Sequence, residues 1–314
     1  MSASGPPDDA ATGRGTGSAA SFGTALAAAM DARGPLCVGI DPHRALLDSW
    51  GLPDSPRGLR DFALRTVDAV EGEVAAVKPQ SAFFERHGAA GIAVLEETLA
   101  ALRASGTLSI LDVKRGDIGS TMGGYAQAYL ADGAPLAADA ITVCPYLGYG
   151  SLAPALDLAH STGRGVFVLA LTSNPEGESV QHARTGQGST VAADIVAGVA
   201  RSNAAERAAG GLGSIGLVVG ATTGTAVAEL GIDLLGANAP LLARIVQAGI
   251  AEKIVVEKLN DCDILATPEP PTHRGASKAD SNRLTEHPVV ALRRALLAQG
   301  FYTTPRGLRM RRSL

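Results

Sequence analysis

The chain has 314 residues, 46% of them hydrophobic, 4% aromatic and 18% charged, with 38 glycines and a net charge of −4. That balance suits a globular protein rich in short aliphatic side chains, and gives no electrostatic reason to expect nucleic-acid binding. No run approaches the roughly 18 consecutive apolar residues of a membrane span, and the three cysteines (Cys37, Cys144, Cys262) form neither a disulfide framework nor a zinc motif.

Residues 1–21 lack the basic start and apolar run of a secretory signal and read as a disordered Gly/Ala/Ser/Thr-rich tail. A cytoplasmic location follows as the expectation, consistent with the cysteine usage. From residue 35 onward, short apolar runs alternate with longer amphipathic ones. Strands are expected at 36–41, 75–79, 108–114, 140–144, 166–173 and 215–221, each largely apolar on both faces as buried parallel strands are. Between them, Leu59, Phe62, Ala63, Val67, Val70 and Val74 follow helical spacing, as do Ile92, Leu95, Leu99 and Leu102.

Strand–helix alternation implies a parallel sheet with helical crossovers, which an open doubly wound sheet or a closed barrel could satisfy. Polar residues recur at the carboxyl ends of several strands, the face where barrel active sites are built. Strand one ends in Asp41-Pro42-His43, with no glycine-rich dinucleotide or phosphate loop. The expectation is therefore an α/β fold, a (β/α)₈ TIM barrel over residues 22–260. Residues 232–235 or 240–245 could supply strand seven, and 253–259 strand eight.

The last stretch is different material. Residues 1–243 carry 15 Lys+Arg against 24 Asp+Glu, whereas 244–314 carry 12 against 7. Residues 261–314 read as an atypical basic segment. It opens with an irregular linker through Thr267-Pro-Glu-Pro-Pro271 and holds a terminal helix built on Val289, Leu292, Leu296 and Leu297.

The run Leu111-Asp112-Val113-Lys114-Arg115-Gly116-Asp117 carries the chemistry. Alternate strand residues share a face, so Asp112 and Lys114 point the same way, and Asp117 opens the next loop. Lys78 ends strand two and Asp41 ends strand one, so two lysines and three aspartates converge on one rim. Each buried charge needs a partner, and a lone pair here could simply close the barrel top. Five such residues together point instead to an alternating Lys/Asp network. Three aspartates could bind a metal, but the interleaved lysines would repel a divalent cation. Without metal or organic cofactor, a carboxylate facing a substrate carboxylate, with an ammonium beside it, suits loss of CO₂. The ammonium stabilises the developing carbanion and then protonates it.

Five motifs occur in order: Gly39-Ile-Asp-Pro-His43, Lys78-Pro-Gln-Ser-Ala-Phe-Phe-Glu85, the Asp112–Thr121 run, Thr142-Val-Cys-Pro-Tyr-Leu-Gly-Tyr-Gly150 and Leu171-Thr-Ser-Asn-Pro-Glu-Gly177. Over about residues 22–243 they resemble the longer bacterial (type 2) branch of the orotidine 5′-phosphate decarboxylases. The resemblance implies conversion of orotidine 5′-phosphate to uridine 5′-phosphate in pyrimidine biosynthesis, with no cofactor. By it, Lys114 is the proton donor to pyrimidine C6, Asp112 faces the substrate carboxyl group and Lys78 completes the network. Asp41 matches a ribose-hydroxyl ligand and Ser173 a pyrimidine contact. Asp117 and Thr121 match positions that reach into a neighbouring subunit's site, which implies a homodimer with shared active sites.

The same family carries a Pro-Gly-x-Gly-x-Gln-Gly phosphate loop after strand seven and an arginine near strand eight. Here Gly236-Ala-Asn-Ala-Pro-Leu-Leu-Ala243 runs directly into Arg244-Ile-Val-Gln-Ala-Gly-Ile250, and Gln247 and Gly249 stand in the wrong order and spacing. A shifted reading frame or a replaced terminus after residue 243 would explain both this and the charge reversal. Two other readings stay open: a sugar-phosphate decarboxylase or aldolase of the same barrel type, and a non-catalytic chain impaired by its terminus.

Overall fold

A computed structural model describes residues 20–220, 223, 225–244, 262–266, 301–304 and 307–310. Eight strands close a barrel in sequence order: β1 (Leu36–Ile40), β2 (Ala76–Pro79), β3 (Leu108–Arg115), β4 (Ala140–Val143), β5 (Gly165–Leu171), β6 (Ile215–Val219), β7 (Leu241–Arg244) and β8 (Cys262–Ala266). β1 to β7 pair in parallel, and helices cross over between them as the alternation of runs requires.

Several boundaries shift from the sequence expectation. Asp41, Cys144 and Ser173 lie just beyond their strands, where the chain turns away from the ladder; the Asp41 carbonyl already accepts from the His43 N–H at 2.7 Å. The helix Pro56–Val70 begins under a Ser55 cap that accepts from Gly58 N–H and buries Leu59, Phe62, Ala63, Val67 and Val70. Val74 is buried too, but past the helix, in the turn that enters β2. Its helical spacing with Val70 is therefore coincidental.

Of the two stretches for strand seven, 240–245 contains β7, while 232–235 runs into the helical turn Leu234–Ala237. The alternative strand eight at 253–259 and the terminal helix around 289–297 lie outside the described residues. β8 lies past residue 260, inside the stretch that the charge balance sets apart, and it runs antiparallel to both β7 and β1. The fold is the expected α/β TIM barrel, with seven parallel strands in sequence order; the eighth differs from the (β/α)₈ pattern in that it returns antiparallel to close the ring. A separate antiparallel hairpin joins β9 (Phe301–Thr304) to β10 (Gly307–Met310).

Two apolar layers follow from strand alternation. Val38, Ile40, Val77, Leu111, Val113, Ile141, Val143, Val166, Val168 and Leu217 face outward onto the helices. Cys37, Ala76, Ile110, Ala140, Phe167 and Leu242 fill the barrel interior. The helix Phe22–Arg33 plugs the interior's amino-terminal end: Phe22 meets the Phe167 ring edge-on at 5.9 Å, and Leu26 is fully buried. Gly165 has no room for a side chain, since a Cβ there would sit 2.2 Å from the Phe22 ring. Among the described residues no helix is long and apolar enough to cross a membrane.

Candidate active site

The interior layer that begins with Ala76, Ile110 and Ala140 continues two residues further along each strand. There it changes character, to Lys78 on β2, Asp112 on β3 and Thr142 on β4. All three are buried at the carboxyl ends of the strands, where the expectation places a site. Lys78 Nζ donates to Asp112 Oδ2 at 3.2 Å, and Gln80 Nε2 donates to the same oxygen at 2.8 Å. Asp112 Oδ1 accepts from Lys114 Nζ and from the Thr142 hydroxyl, both at 2.7 Å. Four donors thus surround one carboxylate, two on each oxygen.

Electrostatics follow from that geometry. Burial alone would raise the Asp112 pKa, but the charges of Lys78 and Lys114, with the donors on Oδ1, outweigh it and bring the value down to about 2. Asp112 therefore stays ionised at neutral pH. The two lysines differ in exposure: the Lys78 side chain is 3% exposed, whereas that of Lys114 is 45% exposed and opens onto the barrel mouth.

Lys114 reaches Asp112 by an unexpected route. Simple alternation predicts a shared face, yet the β3–β4 register shifts between Leu111 and Arg115, and Lys114 sits at φ +46°. A β-bulge, not the pleat, aims this side chain. Its neighbour Arg115 points elsewhere, donating to Glu85 Oε1 at 2.5 Å and lying over the Tyr125 and Tyr129 rings. Gly116 follows because a Cβ there would come within 2.3 Å of the Cys144 carbonyl oxygen.

The remaining candidates occupy the same rim. Asp41 is buried at the end of β1. Ser173 stands in the loop after β5 and packs on Gly220, whose absent Cβ leaves the space that Ser173 fills. Asp117 accepts from the Ile118 N–H at 2.8 Å, and Thr121 is exposed on the first turn of the helix Gly119–Leu130. Among the described residues neither hydrogen-bonds to the Asp112 cluster, so one chain brings together Lys78, Asp112 and Lys114 but not these two. Sequence reasoning assigned no role to Gln80 or Thr142. The signal was available, since each lies two residues beyond another inward-facing position, Lys78 and Ala140. Among the described residues no group of three or more His, Cys, Asp or Glu side chains is arranged to hold a metal ion.

Fold and site define the class as an α/β barrel with a Lys–Asp–Lys cluster at the carboxyl rim of its parallel strands. The family model described as "Orotidine 5′-phosphate decarboxylase / HUMPS family" matches residues 34–258, and the chain belongs to that family. The match runs beyond residue 243, where the motif resemblance stops. The orotidine 5′-phosphate decarboxylase of Streptomyces coelicolor is 57% identical over 222 residues, covering 71% of this chain and 77% of that protein. The corresponding protein of Salinispora arenicola is 58% identical over 223 residues, 71% of this chain and 78% of its own. A crystal structure from Streptomyces avermitilis, assigned as an orotidine 5′-phosphate decarboxylase, superposes with a TM-score of 0.69 at 55% identity. It covers 74% of this chain and 79% of that one.

Proposed function

We propose that this chain is a carbon–carbon lyase that decarboxylates orotidine 5′-phosphate to uridine 5′-phosphate in pyrimidine biosynthesis. The observation that carries the reading is the ionised Asp112 held between the buried Lys78 and the exposed Lys114 at the barrel mouth. The substrate carboxylate sits beside Asp112, so that CO₂ departs and leaves its bonding electron pair at pyrimidine C6. Lys114 stabilises that pair as an ammonium and transfers its proton to C6, replacing the lost carboxyl group. Lys78 balances the charge of Asp112 from the other side. Asp41 binds the ribose hydroxyls, and Ser173 contacts the pyrimidine.

Asp117 and Thr121 act across a homodimer interface, each completing the neighbour's site. The reading is supported by the exposed Ile118, Tyr146 and Leu147 on the same rim, apolar surface that a second subunit would cover. The free thiol of Cys144 fits a reducing cytoplasm.

The test is CO₂ release from carboxyl-labelled orotidine 5′-phosphate, run beside a panel of keto-sugar phosphates. Turnover of the nucleotide alone is expected. A folded protein, verified by circular dichroism, that turns over only a keto-sugar phosphate would overturn the reading in favour of the related barrel activity.

A further inference from the structure

The bulge in β3 has an identifiable cause in β4. Pairing runs Ile110 with Ala140 and Leu111 with Ile141, then resumes at Arg115 with Val143. Three residues, 112 to 114, therefore stand against the single residue Thr142. Lys114 adopts φ +46° inside this interval, a left-handed conformation that is strained for a long-chain residue and persists only where its surroundings fix it.

Thr142 supplies the fixing contacts. Its Oγ1 lies 3.0 Å from the Lys114 backbone nitrogen and 2.7 Å from Asp112 Oδ1. The polarity of both bonds is forced: an amide N–H can only donate, and an ionised carboxylate can only accept. The hydroxyl must therefore accept from Lys114 and pass its own proton toward Asp112. One buried atom ties the backbone that aims the lysine to the carboxylate that the lysine contacts. Valine would keep the shape of threonine but make neither bond, whereas serine could make both.

We infer that Thr142 is a positioning residue for the reaction, holding Lys114 and Asp112 in their working arrangement without itself meeting the reacting atoms. The inference rests on the decarboxylase reading. The charged groups on Asp112 are Lys78 from β2 and Lys114 from its own strand, and Gln80 and Thr142 are its neutral donors. Loss of the Thr142 donor removes one stabiliser of the ionised form, so the carboxyl group should titrate at higher pH.

The experiment compares the wild-type chain with Thr142→Val and Thr142→Ser. Three readouts are taken: kcat and KM for orotidine 5′-phosphate, the side-chain carboxyl titration of Asp112 by carbon NMR, and hydrogen exchange at the Lys114 amide. Thr142→Val should lower kcat by a factor of ~10–100, the scale of a lost hydrogen bond to a charged group. KM should change far less. The Asp112 titration should move upward and the Lys114 amide should exchange faster, and Thr142→Ser should recover most of all three. Wild-type kcat, titration and exchange in a folded Thr142→Val protein would overturn the inference. If Thr142→Val does not fold, Thr142→Ala removes the same hydroxyl without steric demand and is read the same way. A wild-type chain that releases no CO₂ defeats the decarboxylase reading, while the titration and the exchange still decide whether Thr142 positions the pair.

Discussion

At the scale of single residues, the site depends on a difference between two lysines. Lys78 is enclosed with its carboxylate partner, whereas Lys114 is half exposed and attached to Asp112 by one bond at 2.7 Å. The second is open to solvent, as the proposed proton donor must be. Lys114→Ala should therefore lower kcat by at least the ~10²–10⁴-fold typical of a lost general acid. The fold should survive, because Asp112 keeps Lys78, Gln80 and Thr142 as donors. Steady-state turnover paired with a thermal melt makes the comparison. Retention of most activity would remove Lys114 from the proton-donor role.

At the scale of elements, the helix Phe22–Arg33 anchors the barrel from below. Phe22 is enclosed by Phe167 and by the space over Gly165, and Leu26 joins the same interior layer. Truncating such a ring costs the transfer free energy and leaves a cavity that strands on all sides cannot collapse to fill. Phe22→Ala should cost about 3–5 kcal/mol in urea unfolding while leaving KM for substrate unchanged, since the site is at the opposite end. A loss under ~1 kcal/mol would mean that the helix is not docked as described. The sequence gives little notice of this helix. Its run Leu26-Ala-Ala-Ala-Met30 has no clear polar face, and its role depends on a glycine in a strand more than 130 residues later.

For the whole molecule, two features govern competence. The first is the proposed second subunit. If Asp117 serves the neighbour's site, Lys78→Ala and Asp117→Ala chains are each nearly inactive alone. Hybrid dimers of the two hold one wholly mutant site and one wholly native site. Random exchange should restore about a quarter of native activity; no recovery in dimers shown to exchange would assign Asp117 to its own chain. The second feature is the returning β8. Its antiparallel register pairs Ala266 with Leu241 and Ile264 with Leu36, so the chain leaves β8 at the amino-terminal end of the barrel, opposite the site. Barrels grip phosphate at the other face, on the loops after strands seven and eight. Replacing residues 244–314 with a family-typical strand-seven loop and strand-eight arginine should tighten uridine 5′-phosphate binding on the order of a hundredfold by calorimetry at equal ionic strength. Equal affinities would mean that the basic terminal segment already grips the phosphate.

Local pattern alone specifies the parallel strands and the side on which their chemistry lies. Strand alternation and apolar runs are local properties, so Lys78 and Asp112 could be placed on the interior face before any pairing was known. It did not determine how Lys114 arrives there. Alternation gave the right partner for a wrong reason, because the register break and the left-handed backbone depend on Thr142 in another strand. Nor could it assign Gln80, whose bond to Asp112 crosses between β2 and β3. The direction of β8 was likewise beyond it. An apolar run reads the same in either sense, and only the ladders to β7 and β1 distinguish a parallel strand from an antiparallel one.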